Sequence, residues 1–260
     1  MQNLRKYGEA PFKIAVIHGG PGAAGEMAPV ALKLASSRGV LEPLQTKASL
    51  EGQIEELKTV LEKHGDLPVS LIGFSWGAWL SCLVTAHYPS LVKKLILIGS
   101  GPFEEKYAGR IQETRLNRLS EQERIEVKSL YEILDNPEVE NKSTAFARFG
   151  ALFSKADAYD PITGESEIID YDPDIFQSVW KDAAEMRRSG RLLKLGRKIK
   201  CPVVAIHGDY DPHPAEGVQK PLSAMLRSFR FILLANCGHK PWIEREAKDK
   251  FYEILKEELR

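Results

Sequence analysis

The sequence predicts an α/β fold, a mainly parallel central sheet flanked by helices and interrupted by an inserted block of helices. Three observations predict it. Short apolar runs rich in Val, Ile and Leu recur without polar alternation, as strands buried on both faces of a parallel sheet do. Segments with helical periodicity alternate with these runs, which is the order of βα units. The alternation then fails between residues 102 and 198, where the pattern turns helical and charged. At 260 residues and 43% hydrophobic content, the chain is near the upper size that one core serves. The expected organisation is therefore one core domain, residues 1–101 and 199–260, carrying a helical cap insertion at 102–198.

Each element can be justified in order. Lys13 to His18 is the first strand, and so few residues precede it that any leading hairpin is expected to be vestigial. Met27 to Ser37 reads as a helix and Gly39 to Leu44 as a weaker strand. Leu50 to Lys63 is a clearer helix, with Ile54, Leu57, Val60 and Leu61 on one face. Val69 to Phe74 is a strand, Trp76 to His87 a helix and Leu95 to Gly99 the next strand. In the insertion, Ser120 and Glu123 form a capping-box signature ahead of Ile125, Val127, Leu130, Ile133 and Leu134. A second helix is expected over Ser143 to Ser154, and Asp172-Pro173 supplies an N-cap and first turn for a third. Strands at Val203 to His207 and Arg230 to Leu234 and a helix over Ile243 to Leu259 complete the chain.

Composition excludes several function classes. Lys plus Arg and Asp plus Glu are both 36, so no global field draws nucleic acid or an anionic membrane surface. A small-molecule or short-peptide substrate, neutral or zwitterionic, fits this balance. The N-terminus, Met1 to Tyr7, is polar and lacks the apolar run of a signal peptide. No stretch approaches the ~20 apolar residues of a membrane span. Cys82, Cys201 and Cys237 are odd in number and widely spaced, as expected of reduced thiols in a cytoplasmic protein. The six histidines are scattered, no Cys-x-x-Cys occurs and no Gly-x-Gly-x-x-Gly opens a helix, so neither metal nor cofactor is expected.

The chemistry is concentrated in Gly73-Phe74-Ser75-Trp76-Gly77, at the junction of a buried strand and a helix. A serine hydroxyl is a weak nucleophile at neutral pH and needs an adjacent base and donors for the developing oxyanion. Small flanking residues let a sharp turn project the hydroxyl clear of the backbone. Together with His18-Gly19-Gly20-Pro21-Gly22, Gly208-Asp209-Tyr210-Asp211 and Cys237-Gly238-His239, this pentapeptide resembles the α/β-hydrolase superfamily, in the family's order of nucleophile, acid and histidine. The resemblance covers nearly the whole chain outside 102–198. It implies an α/β-hydrolase fold with Ser75 as nucleophile and His239 as base. For the acid, the family spacing Gly-x-x-Asp followed by proline selects Asp211, with Asp209 as the rival, a loop-capping residue if not the acid. The oxyanion donors implied are the backbone N–H groups of Trp76 and Gly20; Pro21 has none. His18 is expected to brace the oxyanion loop, and His207 is a strand-end histidine with no assigned role.

The His18 to Gly22 and Ser75-Trp76-Gly77 segments are closest in motif to the proline iminopeptidase branch. An aminopeptidase needs carboxylates for the substrate ammonium, and the stretch from Ala156 to Phe176 holds Asp157, Asp160, Glu165, Glu167, Asp170, Asp172 and Asp174 with no Lys or Arg. The basic stretch from Lys181 to Lys200 is read as pairing with it or as a solvated helix face. Phe103, Tyr107, Phe146, Phe149, Phe153 and Trp180 either line an acyl pocket or form the core of the cap. The leading expectation is a serine hydrolase that cleaves a small ester or amide through an acyl-enzyme. A carboxylesterase, a carbon–carbon bond hydrolase and a non-catalytic ligand receptor are the alternatives.

Overall fold

The computed structural model describes residues 3–162 and 170–260. Its frame is a seven-stranded sheet of β1 (Leu4–Tyr7), β2 (Ile14–Ile17), β4 (Val40–Pro43), β5 (Val69–Phe74), β6 (Val92–Ile98), β8 (Val203–Gly208) and β9 (Phe229–Leu234). The spatial order is β1-β4-β2-β5-β6-β8-β9, and only β1 runs antiparallel, paired with β4. The mainly parallel sheet is as expected, and β1 is an edge strand the sequence pattern did not reveal. Its residues Leu-Arg-Lys-Tyr are too polar to stand out from a loop.

Side chains alternate between two cores. Leu71, Leu95 and Leu97 enter one cluster with α2 (Leu50–His64) and α3 (Trp76–His87), whereas Ile72, Phe74, Ile96 and Ile98 enter the other. The second is closed by α1 (Ala28–Ala35) and α10 (Lys248–Glu258). Every residue of β5 and β8 is buried, which explains why these strands read as continuous apolar runs. α3 is buried almost all round because it lies between the sheet and the insertion. The C-terminal helix begins at Lys248 rather than Ile243, after a short 3-10 turn at Pro241–Ile243.

Between β6 and β8 come α4 (Ile111–Asn117), α5 (Glu121–Asp135), α6 (Ser143–Asp157), the two-residue β7 (Asp170–Tyr171), α7 (Pro173–Arg188) and α8 (Arg191–Leu195). The expected capping box is present: the Ser120 side chain accepts from the Glu123 N–H, and Glu123 accepts from the Ser120 N–H. Asp172 caps α7 as its position before Pro173 indicated, accepting from the N–H groups of Asp174 and Ile175. α5 and α6 enclose a small core around Leu119, Val127, Leu130, Leu152 and Ala156, while α7 places Val179 and Ala183 against the first sheet cluster. β7 pairs antiparallel with β3 (Ala23–Ala24), tying the insertion to the loop after β2. α9 (Glu216–Met225) connects β8 to β9. Among the described residues, no helix is long and apolar enough to cross a membrane.

Candidate active site

Ser75 sits where β5 turns into α3, with φ 51° and ψ −113°, a region L-residues rarely occupy, at a cost of about 1–3 kcal/mol. The turn survives because its surroundings over-determine it. The Ser75 N–H donates to the Ile98 carbonyl at 2.9 Å, and a Cβ on either flanking glycine would collide, Gly73 with the Gly77 carbonyl and Gly77 with the Ile17 and His18 carbonyls. Both glycines of the pentapeptide are therefore set by packing, and the serine is lifted toward the cavity.

His239 arrives on the loop after β9, with Nε2 3.0 Å from Ser75 Oγ. Its Nδ1 lies 2.7 Å from Asp211 Oδ2. Asp209 points elsewhere: its Oδ1 accepts from the Cys237 N–H at 3.1 Å, stapling the loop after β8 to the loop after β9. Of the two neighbouring carboxylates, Asp211 is the one beside the imidazole. The His239 N–H donates to the Asp157 carbonyl at the end of α6, and the buried Glu244 carboxylate accepts from the N–H groups of Gly238, Tyr159 and Asp160. The histidine loop is thus fastened to the insertion, an arrangement with no sequence motif behind it.

The electrostatics oppose burial. Burial alone would raise the Asp211 carboxyl, but His239, His213 and His207 around it outweigh that and hold it well below the ordinary carboxylate range. Burial alone would lower the His239 imidazole; the Asp211 charge and hydrogen bond, with help from Asp157, raise it above its ordinary 6.5. The pair is an ionised carboxylate beside a base of increased proton affinity. Three of the six scattered histidines thus gather around one aspartate. The ligand-type atoms of Asp211, His213 and His239 lie within 4.8 Å of one another and are engaged in these hydrogen bonds.

Gly20 and Trp76, the expected oxyanion donors, both line the same cavity as Ser75. The Trp76 indole N–H is held between Gln45 Oε1 at 3.2 Å and Gln53 Oε1 at 3.0 Å, which anchors the first turn of α3. His18 braces the neighbouring loop, its ring nitrogens 2.7 Å from the Gly19 carbonyl and 3.0 Å from the Leu44 carbonyl. His207 faces the His213 carbonyl at 2.8 Å.

The cavity has a volume of about 560 Å³ and is floored by the sheet and roofed by the insertion. Phe146, Phe149, Phe153 and Trp180 line it; Phe103 and Tyr107 do not, Phe103 being buried against Trp79. Trp79, Trp180 and Phe176 stack in series at 5.7 and 6.1 Å. The charged residues on its wall are paired: Arg115 forks onto Asp157 at 2.7 and 2.5 Å, Lys240 meets Glu26 at 2.9 Å, and Arg187 meets Glu105 at 2.7 Å. Of the basic stretch, Arg187 pairs with Glu105 and the exposed Arg188 with Glu185. Of the acidic stretch, Asp157 and Asp160 pair with Arg115 and Arg245. Glu165 and Glu167 lie outside the described residues, as does the Asp170 side chain.

Residues 18–246 match the family model described as the alpha/beta hydrolase fold. A search of curated proteins finds no match. Among solved structures, VinJ superposes with a TM-score of 0.68 at 17% identity, over 98% of this chain and 93% of its own. A proline iminopeptidase from Mycobacterium smegmatis gives 0.63 at 16% identity, over 98% and 93%. The thioesterase domain from the curacin biosynthetic pathway gives 0.60 at 17% identity, over 97% and 94%. At such identities the likeness is one of fold, shared by structures titled lipase, peptidase and thioesterase.

Proposed function

From the premise that the chain belongs to the alpha/beta hydrolase fold family, we propose that it is a serine hydrolase that cleaves esters of apolar acids through an acyl-enzyme on Ser75. The observation that carries this reading is the unbroken series Ser75 Oγ, His239 Nε2, His239 Nδ1 and Asp211 Oδ2, with steps of 3.0 and 2.7 Å, opening into an aromatic-lined cavity. Ser75 Oγ attacks the substrate carbonyl carbon while His239 Nε2 takes its proton. The N–H groups of Trp76 and Gly20 hold the oxyanion. Collapse of this intermediate breaks the acyl–oxygen bond, and His239 returns the proton to the departing alcohol. Water then repeats the sequence on the acyl-enzyme, releasing the acid and restoring Ser75. Asp211 stays ionised throughout, fixing the tautomer and stabilising the imidazolium.

The paired charges favour an apolar acyl group. Glu26 and Asp157 are the carboxylates on the cavity wall among the described residues, and they support a second reading, release of an N-terminal prolyl or alanyl residue from an amide. A substrate ammonium would there compete with Lys240 or Arg115, which already hold them. The pairing likewise leaves no uncompensated basic wall for the anionic substrates of carbon–carbon bond hydrolysis. We read the helical insertion, 102–198, as the cap that sets the acyl group accepted.

An organophosphonate probe is expected to label the protein and Ser75→Ala to abolish labelling. Aryl esters of increasing acyl length are expected to turn over faster than prolyl or alanyl arylamides. A prolyl arylamide outpacing every ester would reverse the preference, and folded wild-type protein inert to several probes would remove the serine hydrolase reading.

A further inference from the structure

Asp211 is held from two sides. His239 occupies Oδ2; on the other side Oδ1 accepts from both the backbone N–H of His213, at 2.9 Å, and its ring Nδ1–H, at 2.8 Å. The carboxylate is an acceptor, so Nδ1 of His213 must carry the proton and Nε2 is left as a bare lone pair. His213 lines the cavity, its ring 4.6 Å from that of His239. Its carbonyl accepts from His207 Nε2, which also lies 3.5 Å from Asp211 Oδ2. Charged groups near these rings are the Arg115–Asp157 pair from the insertion, Glu244 at the Gly238 N–H and Asp209 at the Cys237 N–H, and the Lys240–Glu26 pair lines the same cavity.

We propose that His213 is a positioning residue for the chemistry at Ser75: it grips the Asp211 carboxylate opposite His239, fixes its plane, and draws off part of its charge so that His239 remains a base near neutral pH. The inference rests on the hydrolase reading for its catalytic meaning, though its effect on His239 is measurable without turnover. Without the ring donor, Oδ1 would keep only the His213 backbone N–H, and more of the carboxylate charge would rest on the His239 ring and favour its imidazolium. A neutral donor on the second oxygen weakens this hold without adding a charge. Burial, with repulsion from His239 and Arg115 exceeding the pull of Asp211, brings the His213 ring down to about 4, so it stays neutral while His239 titrates.

Nitrogen NMR of histidine-labelled protein tests this directly. In the wild type, His213 is expected in the Nδ1–H form, neutral throughout the His239 titration; an Nε2–H form, or a charged ring at pH 6, would overturn the proposal without any variant being made. In His213→Leu the His239 titration is expected to move up by about half a pH unit or more. In His213→Asn, whose amide keeps a donor near the Nδ1 position, it is expected to return most of the way. An unchanged His239 titration in folded His213→Leu would also overturn it. Probe labelling of Ser75 is scored separately: labelling without the shift defeats this inference alone, and the shift without labelling defeats only the hydrolase reading.

Discussion

The sheet-borne half of the site and the helical insertion are built on different physics. Ser75, Asp211 and His239 stand at the ends of strands or on loops after them; β5 and β8, which carry Ser75 and Asp211, are fully buried between two continuous cores, and β9 before His239 is partly exposed. Among the described residues, the insertion's own core comprises five buried residues, and its cavity wall is lined by aromatic rings and ion pairs. Close-packed strands hold positions to fractions of an ångström, as proton transfer requires. Rings of the roof that do not fasten the histidine loop, unlike the segment from Asp157 to Asp160, can be exchanged with less effect on those positions. On the proposed hydrolase reading, this difference would put the chemistry in one half of the molecule and selectivity in the other.

The sharpest way to break this division is at the nucleophile. Ser75→Ala is expected to lower turnover about ten-thousandfold or more while leaving the melting temperature unchanged, measured by steady-state kinetics beside thermal unfolding. Asp211→Asn should cost about 10³- to 10⁴-fold in kcat, whereas Asp209→Ala should cost about 1 kcal/mol of stability, through the lost Cys237 bond, and little kcat. If Asp209→Ala proves the more damaging to kcat, the roles of the two aspartates are exchanged. On the insertion, Trp180→Ala removes a ring stacked on Trp79 and is expected to raise KM for long-chain aryl esters about tenfold, with kcat for acetyl esters within about twofold. A comparable fall for acetyl esters would mean that the two halves are not separable. At the exposed end of the insertion, Lys155→Ala breaks a surface pair with Glu123 and should change stability by less than about 1 kcal/mol in chemical denaturation.

The pH dependence sharpens the same comparison. On the proposed mechanism the base form of His239 is needed, and its affinity for protons is raised above 6.5, so kcat/KM should climb through an acid limb lying above that value. The stability supplied by His239 runs the other way, full below pH 6.5 and lost as pH rises through its raised value. Asp211 is held well below its ordinary value, so its contribution is present above the ordinary carboxylate range and lost as pH falls through the depressed one. The most active pH therefore lies above the pH at which this pair stabilises the fold most.

The core half was legible because its constraints are local. A strand buried on both faces must be an apolar run, and the backbone approach of Gly77 to Ile17 and His18 admits no side chain, so Val69 to Gly77 announces both its fold and its turn. Spacing to a following proline selects Asp211 over Asp209; in the structure Asp211 lies beside His239 and Asp209 beside the Cys237 N–H. The edge strand β1 was hidden because pairing with β4, not burial, makes it a strand. Arg115, Glu26, Lys240 and Glu244 were hidden for a different reason: each matters through a partner distant in the chain, and no periodicity carries a long-range ion pair. His213 stands two residues from Asp211, and its backbone and ring bonds to Oδ1 form an Asx-type local contact whose spacing is legible in the sequence.

The short β3–β7 ribbon links these halves more closely than either suggests. Gly22, with φ 79° and no room for a Cβ against Asp172, accepts a hydrogen bond from the Asp172 N–H at 2.8 Å, two residues from the Gly20 amide. This ribbon joins the loop beside Ser75 to the roof by backbone hydrogen bonding. On the proposed hydrolase reading, a chain nicked in the roof is expected to keep Ser75 and lose turnover of aryl esters. Grafting a foreign roof onto this core would have to reproduce the ribbon first, before any new appetite for substrate could be expressed.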